Sequence, residues 1–314
     1  MKIYLMILFS IISVQIHVFS QNVEMDMNQW YLSAEDGTRL FVTEGGRGDS
    51  VIVIHGGWGA EYSYLVPALK PLFNQYHFIF YDQRGSLRSP ALDSTVSLQR
   101  IVEDLEELRQ ELGIEKVTLL SHSMGSFIAY SYLKVYPQHV NGIVLISPVL
   151  PTGVDLEKKR AADQKFFEFA ESNKEKELKE EDLFDKPKLT DKEKTYKWRI
   201  GFASGNLYFI NRWEQMKGGQ VFYNPQIASL INKNSTNKIM ENLWGTLKSY
   251  SVPMFVIIGD HDLVDFGLTT WPELVNYTPH ITLLRLENAG HNSWIDKPGR
   301  FKDFVEKALG NITE

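Results

Sequence analysis

Two hydrophobic rhythms alternate along the chain. Short, nearly unbroken apolar runs at Val51-Ile52-Val53-Ile54, Phe78-Ile79-Phe80-Tyr81, Val117-Thr118-Leu119-Leu120, Ile143-Val144-Leu145-Ile146, Met254-Phe255-Val256-Ile257-Ile258 and Ile281-Thr282-Leu283-Leu284-Arg285-Leu286 read as strands, most of them covered on both faces. Trp30–Ser33 and Arg39–Thr43 flank the turn-rich Glu35-Asp36-Gly37-Thr38 and read as a hairpin, which brings the strands to eight. Elsewhere the period lengthens. Ile101, Leu105, Leu108 and Leu112 recur at helical spacing between a candidate N-cap, Ser97, and a stop at Gly113. Phe127, Ile128, Ala129, Tyr132 and Leu133 form a second helical face, a third helix is expected from Glu273 onward, and Phe301, Phe304, Val305 and Leu309 define a last one over Gly299–Leu309. Strands alternating with helices predict an α/β fold with a mostly parallel, eight-stranded sheet flanked by helices.

The rhythm breaks from 150 to 250. Strand-like runs give way there to interleaved lysine and glutamate, then to aromatic residues such as Trp198, Phe202, Tyr208, Trp213 and Trp244. This stretch is expected to be a helical cap over the active edge of the sheet, with 21–149 and 251–314 forming the core. Its charge run reads as a solvated helix face. Residues 1–20 have a different character again: Lys2 precedes an apolar stretch from Tyr4 to Val14, and small residues follow near Ser20, the pattern of a signal peptide. The expected location is therefore exported, periplasmic or secreted, with no stable membrane association after cleavage.

Composition narrows the field. At 314 residues, 43% hydrophobic and with a formal net charge of −6, the chain has material for a large core and no basic stripe, which argues against a nucleic-acid partner. It contains no cysteine, so disulfides and zinc-thiolate sites are excluded.

The chemistry gathers where the predicted strands end. Leu119-Leu120-Ser121-His122-Ser123-Met124-Gly125 runs from a strand through a sharp turn into a helix, so that Ser123 sits at the apex with small residues on either side. A serine hydroxyl needs a base within hydrogen-bond reach and a carboxylate to orient that base. Gly259-Asp260-His261-Asp262 and Asn288-Ala289-Gly290-His291 end the last two strands and supply both types. The candidate catalytic residues are thus Ser123, Asp262 and His291, with Asp260 the rival acid. Backbone N–H groups of Gly57, in His55-Gly56-Gly57-Trp58-Gly59, and of Met124 are the candidate oxyanion donors. The remaining histidines, His55, His122 and His261 included, show no metal-binding spacing, and no metal or other cofactor is expected.

These motifs resemble those of the α/β-hydrolase superfamily, serine-nucleophile branch, and most closely the proline iminopeptidases. His55-Gly56-Gly57-Trp58-Gly59 is similar to that family's His-Gly-Gly-Pro-Gly, and Asp82-Gln83-Arg84-Gly85-Ser86-Leu87-Arg88-Ser89 to its Asp-Gln-Arg-Gly-Ser-Gly-Arg-Ser. The elbow spelling Ser-His-Ser-Met-Gly is closer to esterases and lipases. The resemblance implies the α/β-hydrolase fold and an aminopeptidase that releases N-terminal residues, proline among them. It also implies that Glu214, in Trp213-Glu214, clamps the substrate's free amine, and Trp58 is expected to touch substrate. A carboxylesterase or lactonase acting on small esters is the alternative, and a non-catalytic ligand-binding protein of the same fold a more distant one. The expected partner is accordingly a small peptide or ester.

Overall fold

The computed structural model describes residues 27–154, 159–217, 223–264 and 267–313. The signal peptide expected over 1–20 lies outside them. Eight strands form one sheet: β1 (Asn28–Ser33), β2 (Arg39–Gly46), β3 (Asp49–Ile54), β4 (Tyr76–Tyr81), β5 (Val117–His122), β6 (Val140–Ile146), β7 (Met254–Gly259) and β8 (Ile281–Leu286). Their spatial order is β1-β2-β4-β3-β5-β6-β7-β8. β1 and β2 form the antiparallel hairpin, β2 also runs antiparallel to β4, and every other pairing is parallel.

The unbroken apolar runs are explained by two cores, one on each face. Ile52, Ile54, Ile79, Tyr81 and Leu119 point to one side, where they meet helices α1 (Leu98–Glu111) and α2 (Gly125–Val135). Their neighbours Val51, Val53, Phe78, Phe80 and Leu120 point to the other and share a core with Phe301, Val305 and Leu309. Successive strand residues alternate in direction, so a strand covered on both faces must be apolar throughout. Ser97 caps α1 by accepting from the Arg100 amide, as the sequence predicts.

The chain between β6 and β7 contains no strand among the described residues. It carries α3 (Lys159–Glu180), α4 (Asp191–Ala203), α5 (Gln226–Asn234) and α6 (Leu243–Ser249). The helix expected from Glu273 onward instead spans Gly267–Leu274 as α7, followed by a 3-10 turn at Val275–Tyr277. Trp271, fully buried, and Leu274, buried as well, lie three residues apart on one face, on either side of Pro272. The final helix, α8, spans Pro298–Thr313.

The loop after β4 is held by buried charge. Arg84 grips Asp104 with Nε at 2.7 Å and Nη2 at 2.6 Å and reaches Asp36 at 2.8 Å. Arg88 makes a similar fork on Asp82 at 2.7 and 2.9 Å, and its Nη2 meets Glu61 at 2.5 Å. Glu61 in turn caps the short helix Tyr62–Leu65 by accepting from the Ser63 amide. The arginine-rich motif thus anchors the segment that follows the glycine turn after β3.

Candidate active site

Ser123 follows β5 with φ +51°, a left-handed backbone uncommon for a side chain larger than glycine's. The turn is possible because its surroundings are small: a Cβ on Gly125 would stand 2.6 Å from the His55 carbonyl oxygen. Ser121, on the other side, is fully buried.

Asp262 follows β7, and His291 follows β8. The three side chains meet although they are far apart in sequence. His291 Nε2 lies 2.9 Å from Ser123 Oγ, and His291 Nδ1 lies 2.9 Å from Asp262 Oδ1. A carboxylate can only accept, so Nδ1 carries the imidazole proton and Nε2 is free to accept from the serine hydroxyl. Ser123, His291 and Asp262 are 8%, 4% and 3% exposed, so the relay is shielded from bulk water while Ser123 remains at the edge of a cavity. The rival acid takes another position. Asp260 pairs with His261 at 2.7 Å and accepts from the Ala289 amide, bracing the histidine loop from outside.

On the opposite side of Ser123 the glycine turn after β3 approaches the elbow. Gly57 has φ +74°, and neither its amide nor that of Met124 is spent on a hydrogen bond among the described residues. Two free donors beside a nucleophile form the arrangement that receives a developing oxyanion. His55 is structural: Nδ1 donates to the Gly56 carbonyl at 3.0 Å, Nε2 accepts from the Gln83 amide at 3.2 Å, and burial lowers its pKa, keeping the ring neutral.

The cavity above Ser123 has a volume of about 470 Å³. Trp58, Phe202, Tyr223, Pro225 and Val264 give it an apolar wall, and no carboxylate is among its described lining residues. Glu214 is not there. Trp213 turns inward and is 1% exposed, which sends the next residue outward, and Glu214 stands on the surface with its backbone carbonyl accepting from Arg199. The amine clamp expected at Glu214 is therefore corrected: this side chain does not reach the site.

Other residues support the site with little local sequence signal. Ser147, at the end of β6 with φ +46°, donates from Oγ to the His291 carbonyl at 2.8 Å. Buried Asp296 accepts from the amides of Gly290, Tyr208 and Phe209 at 2.8, 2.9 and 3.0 Å, binding the histidine loop to the cap. The one hint of Ser147 is its position at a strand end beside Pro148; Asp296 has none.

Comparison with known proteins agrees with this architecture. A family model described as alpha/beta hydrolase fold matches residues 49–298. The AB hydrolase superfamily protein YclE of Bacillus subtilis strain 168 is 26% identical over 291 residues, covering 87% of this chain and 96% of the relative. A proline iminopeptidase of Heyndrickxia coagulans is 38% identical, but over 109 residues, 34% of this chain and 38% of the relative. Among solved structures, a thermophilic esterase from Thermogutta terrifontis superposes with TM-score 0.65 at 17% identity, covering 91% of this chain and all (100%) of that one. The chain belongs to the α/β-hydrolase fold family.

Proposed function

From that membership, we propose that the protein is a serine hydrolase that cleaves small, uncharged carboxylic esters through an acyl-enzyme on Ser123. His291 takes the proton from Ser123 as its oxygen attacks the carbonyl, and Asp262 orients the imidazole and stabilises its cation. The Gly57 and Met124 amides hold the oxyanion, and His291 returns its proton to the leaving alkoxide. Water then repeats the sequence and frees the acid. The observation that carries the substrate class is the cavity beside Ser123, apolar and without a described carboxylate. A substrate ammonium would lose its water there with no counter-charge among the described lining residues, whereas an ester loses little.

An aminopeptidase is the second reading. It is favoured by the likeness of residues 55–59 and 82–89 to the iminopeptidase motifs and by the partial match to such an enzyme. Its amine contact would have to come from a residue other than Glu214.

p-Nitrophenyl acetate and butyrate, assayed beside prolyl, alanyl and leucyl arylamides, separate the two. Ester turnover at least about a hundredfold faster than arylamide turnover is expected. Efficient arylamide cleavage that N-acetylation of the substrate abolishes would replace the esterase reading with the aminopeptidase one. Failure to react with a fluorophosphonate would remove both. Export rests on the leader read over residues 1–20, and N-terminal sequencing of the protein recovered outside the cytoplasm tests it.

A further inference from the structure

One buried polar pair at the site has no part in the relay. The Gly56 amide donates to Tyr64 Oη at 2.7 Å, and Tyr64 Oη lies 2.7 Å from His122 Nδ1. The hydroxyl accepts from Gly56 and still has its own proton to give; with His122 in the tautomer whose Nδ1 is unprotonated, that proton has an acceptor. Tyr64 and His122 are 6% and 1% exposed. Trp294 holds both rings, stacked on Tyr64 with centroids 5.9 Å apart and edge-on to His122 at 4.9 Å.

The pair joins the two halves of the site. Gly56 precedes the candidate oxyanion donor Gly57, and His122 precedes the nucleophile. The turn lies close against the elbow: a Cβ on Gly56 would meet His122 Nδ1 and Ser123 Cβ, each at 2.8 Å, and the His122 carbonyl oxygen at 2.9 Å. Packing alone can hold the turn close, but it does not fix the rotation of the Gly56 peptide. The hydroxyl of Tyr64 does so for the peptide that ends in the Gly56 amide, and His55 Nδ1 does so, through the Gly56 carbonyl, for the next one, which carries the Gly57 amide. We infer that Tyr64 and His122 are positioning residues, a polar tie that holds the oxyanion turn in register with the nucleophile. The inference rests on the acyl-transfer reading above.

Charge is consistent with that role. Burial pushes the Tyr64 hydroxyl's pKa up. Burial first, and the neighbouring His291 second, hold His122 well below the usual histidine range. Both groups stay neutral, and His122, its ring centroid 5.0 Å from that of His291, adds no like charge when His291 becomes a cation.

An oxyanion contact exists only in the transition state, so loosening it lowers kcat and leaves KM almost unchanged. Tyr64→Phe is expected to lower ester kcat about ten- to a hundredfold with KM within about threefold, short of the loss for removing an oxyanion donor outright. An alkylboronic acid, which forms a tetrahedral adduct on Ser123, should lose affinity by the same factor. His122→Leu should show part of the same loss, and His122→Asn, whose Oδ1 can accept from Tyr64, should recover most of it. Unchanged kcat and boronate affinity in folded Tyr64→Phe would overturn the tie, as would a kcat loss the boronate does not share. Should Tyr64→Phe fail to fold, the His122 pair decides, and equal kcat in the Leu and Asn variants counts against it. If wild type neither labels with a fluorophosphonate nor loses turnover in Ser123→Ala, the acyl-transfer reading fails and the tie with it; full labelling beside unaltered Tyr64→Phe kinetics removes the tie alone.

Discussion

The loops at the strand ends and the cap above them are both rich in charge, but they use it differently. Below, Arg84 and Asp104 meet at 2.6 Å with side chains 0% and 1% exposed, and Arg88 is stacked over Tyr62 as well as forked onto Asp82. Above, Lys174–Glu171 and Lys194–Asp191 pair within one helical turn at 3.1 and 2.9 Å, with exposures of 36%/70% and 63%/98%. A buried, doubly hydrogen-bonded pair allows one geometry; an exposed pair exchanges freely with water. The catalytic floor is therefore specified by interactions that tolerate little change, whereas the exposed pairs of the cap fix no single geometry and can vary in sequence above the same floor.

The sharpest test of that contrast is Ser123→Ala. Turnover of every substrate should fall by about 10⁴-fold or more, with the far-ultraviolet dichroism and melting temperature preserved. Residual activity near wild type would mean that the floor is not the reacting part.

Arg84→Ala comes next. It leaves Asp104 buried and unpaired and should cost about 3 to 5 kcal/mol in urea unfolding, while Lys194→Ala should cost less than about 0.5 kcal/mol. Similar costs for the two would erase the distinction.

A smaller and pH-dependent effect is expected at Glu106. Burial works to raise its pKa, but hydrogen bonds from Arg109, Tyr132 and Gln110 outweigh it and hold the carboxyl down at about 2. A carboxylate with a depressed folded pKa stabilises the protein above its ordinary value of 4.5, and that contribution is lost as pH falls toward 2. Relative to Glu106→Gln, wild type should therefore be more stable by about 2 kcal/mol at pH 7, with the gap closing between pH 4.5 and 2. A gap that persists at pH 2 would assign the effect to packing.

The smallest effect belongs to the cap. Glu214→Gln should leave kcat/KM within about twofold on esters and on arylamides, since the side chain faces solvent. A tenfold loss confined to free-amine substrates would return Glu214 to the site.

What the sequence determined by itself is whatever depends on short stretches of chain. Short unbroken apolar runs bounded by turn residues read as strands covered on both faces, and their alternation with helices gives the eight-stranded, mostly parallel sheet. Strand ends that finish in Ser123, Asp262 and His291 must gather at one edge of such a sheet, and small residues around Ser123 mark the tight turn there. Only the tertiary structure decided which acid faces His291, because Asp260 and Asp262 differ by two residues and the direction of each depends on how β7 leaves the sheet. It decided too that Trp213 is buried and Glu214 is not, a choice made by packing in the cap rather than by any local pattern. Asp296, Ser147 and the Tyr64–His122 pair belong to the same class: their partners are backbone groups or side chains brought close by the fold. A directional contact of that kind leaves no periodicity in the chain, which is why the meeting of Ser123, Asp262 and His291 was legible in the sequence and the support of the site was not.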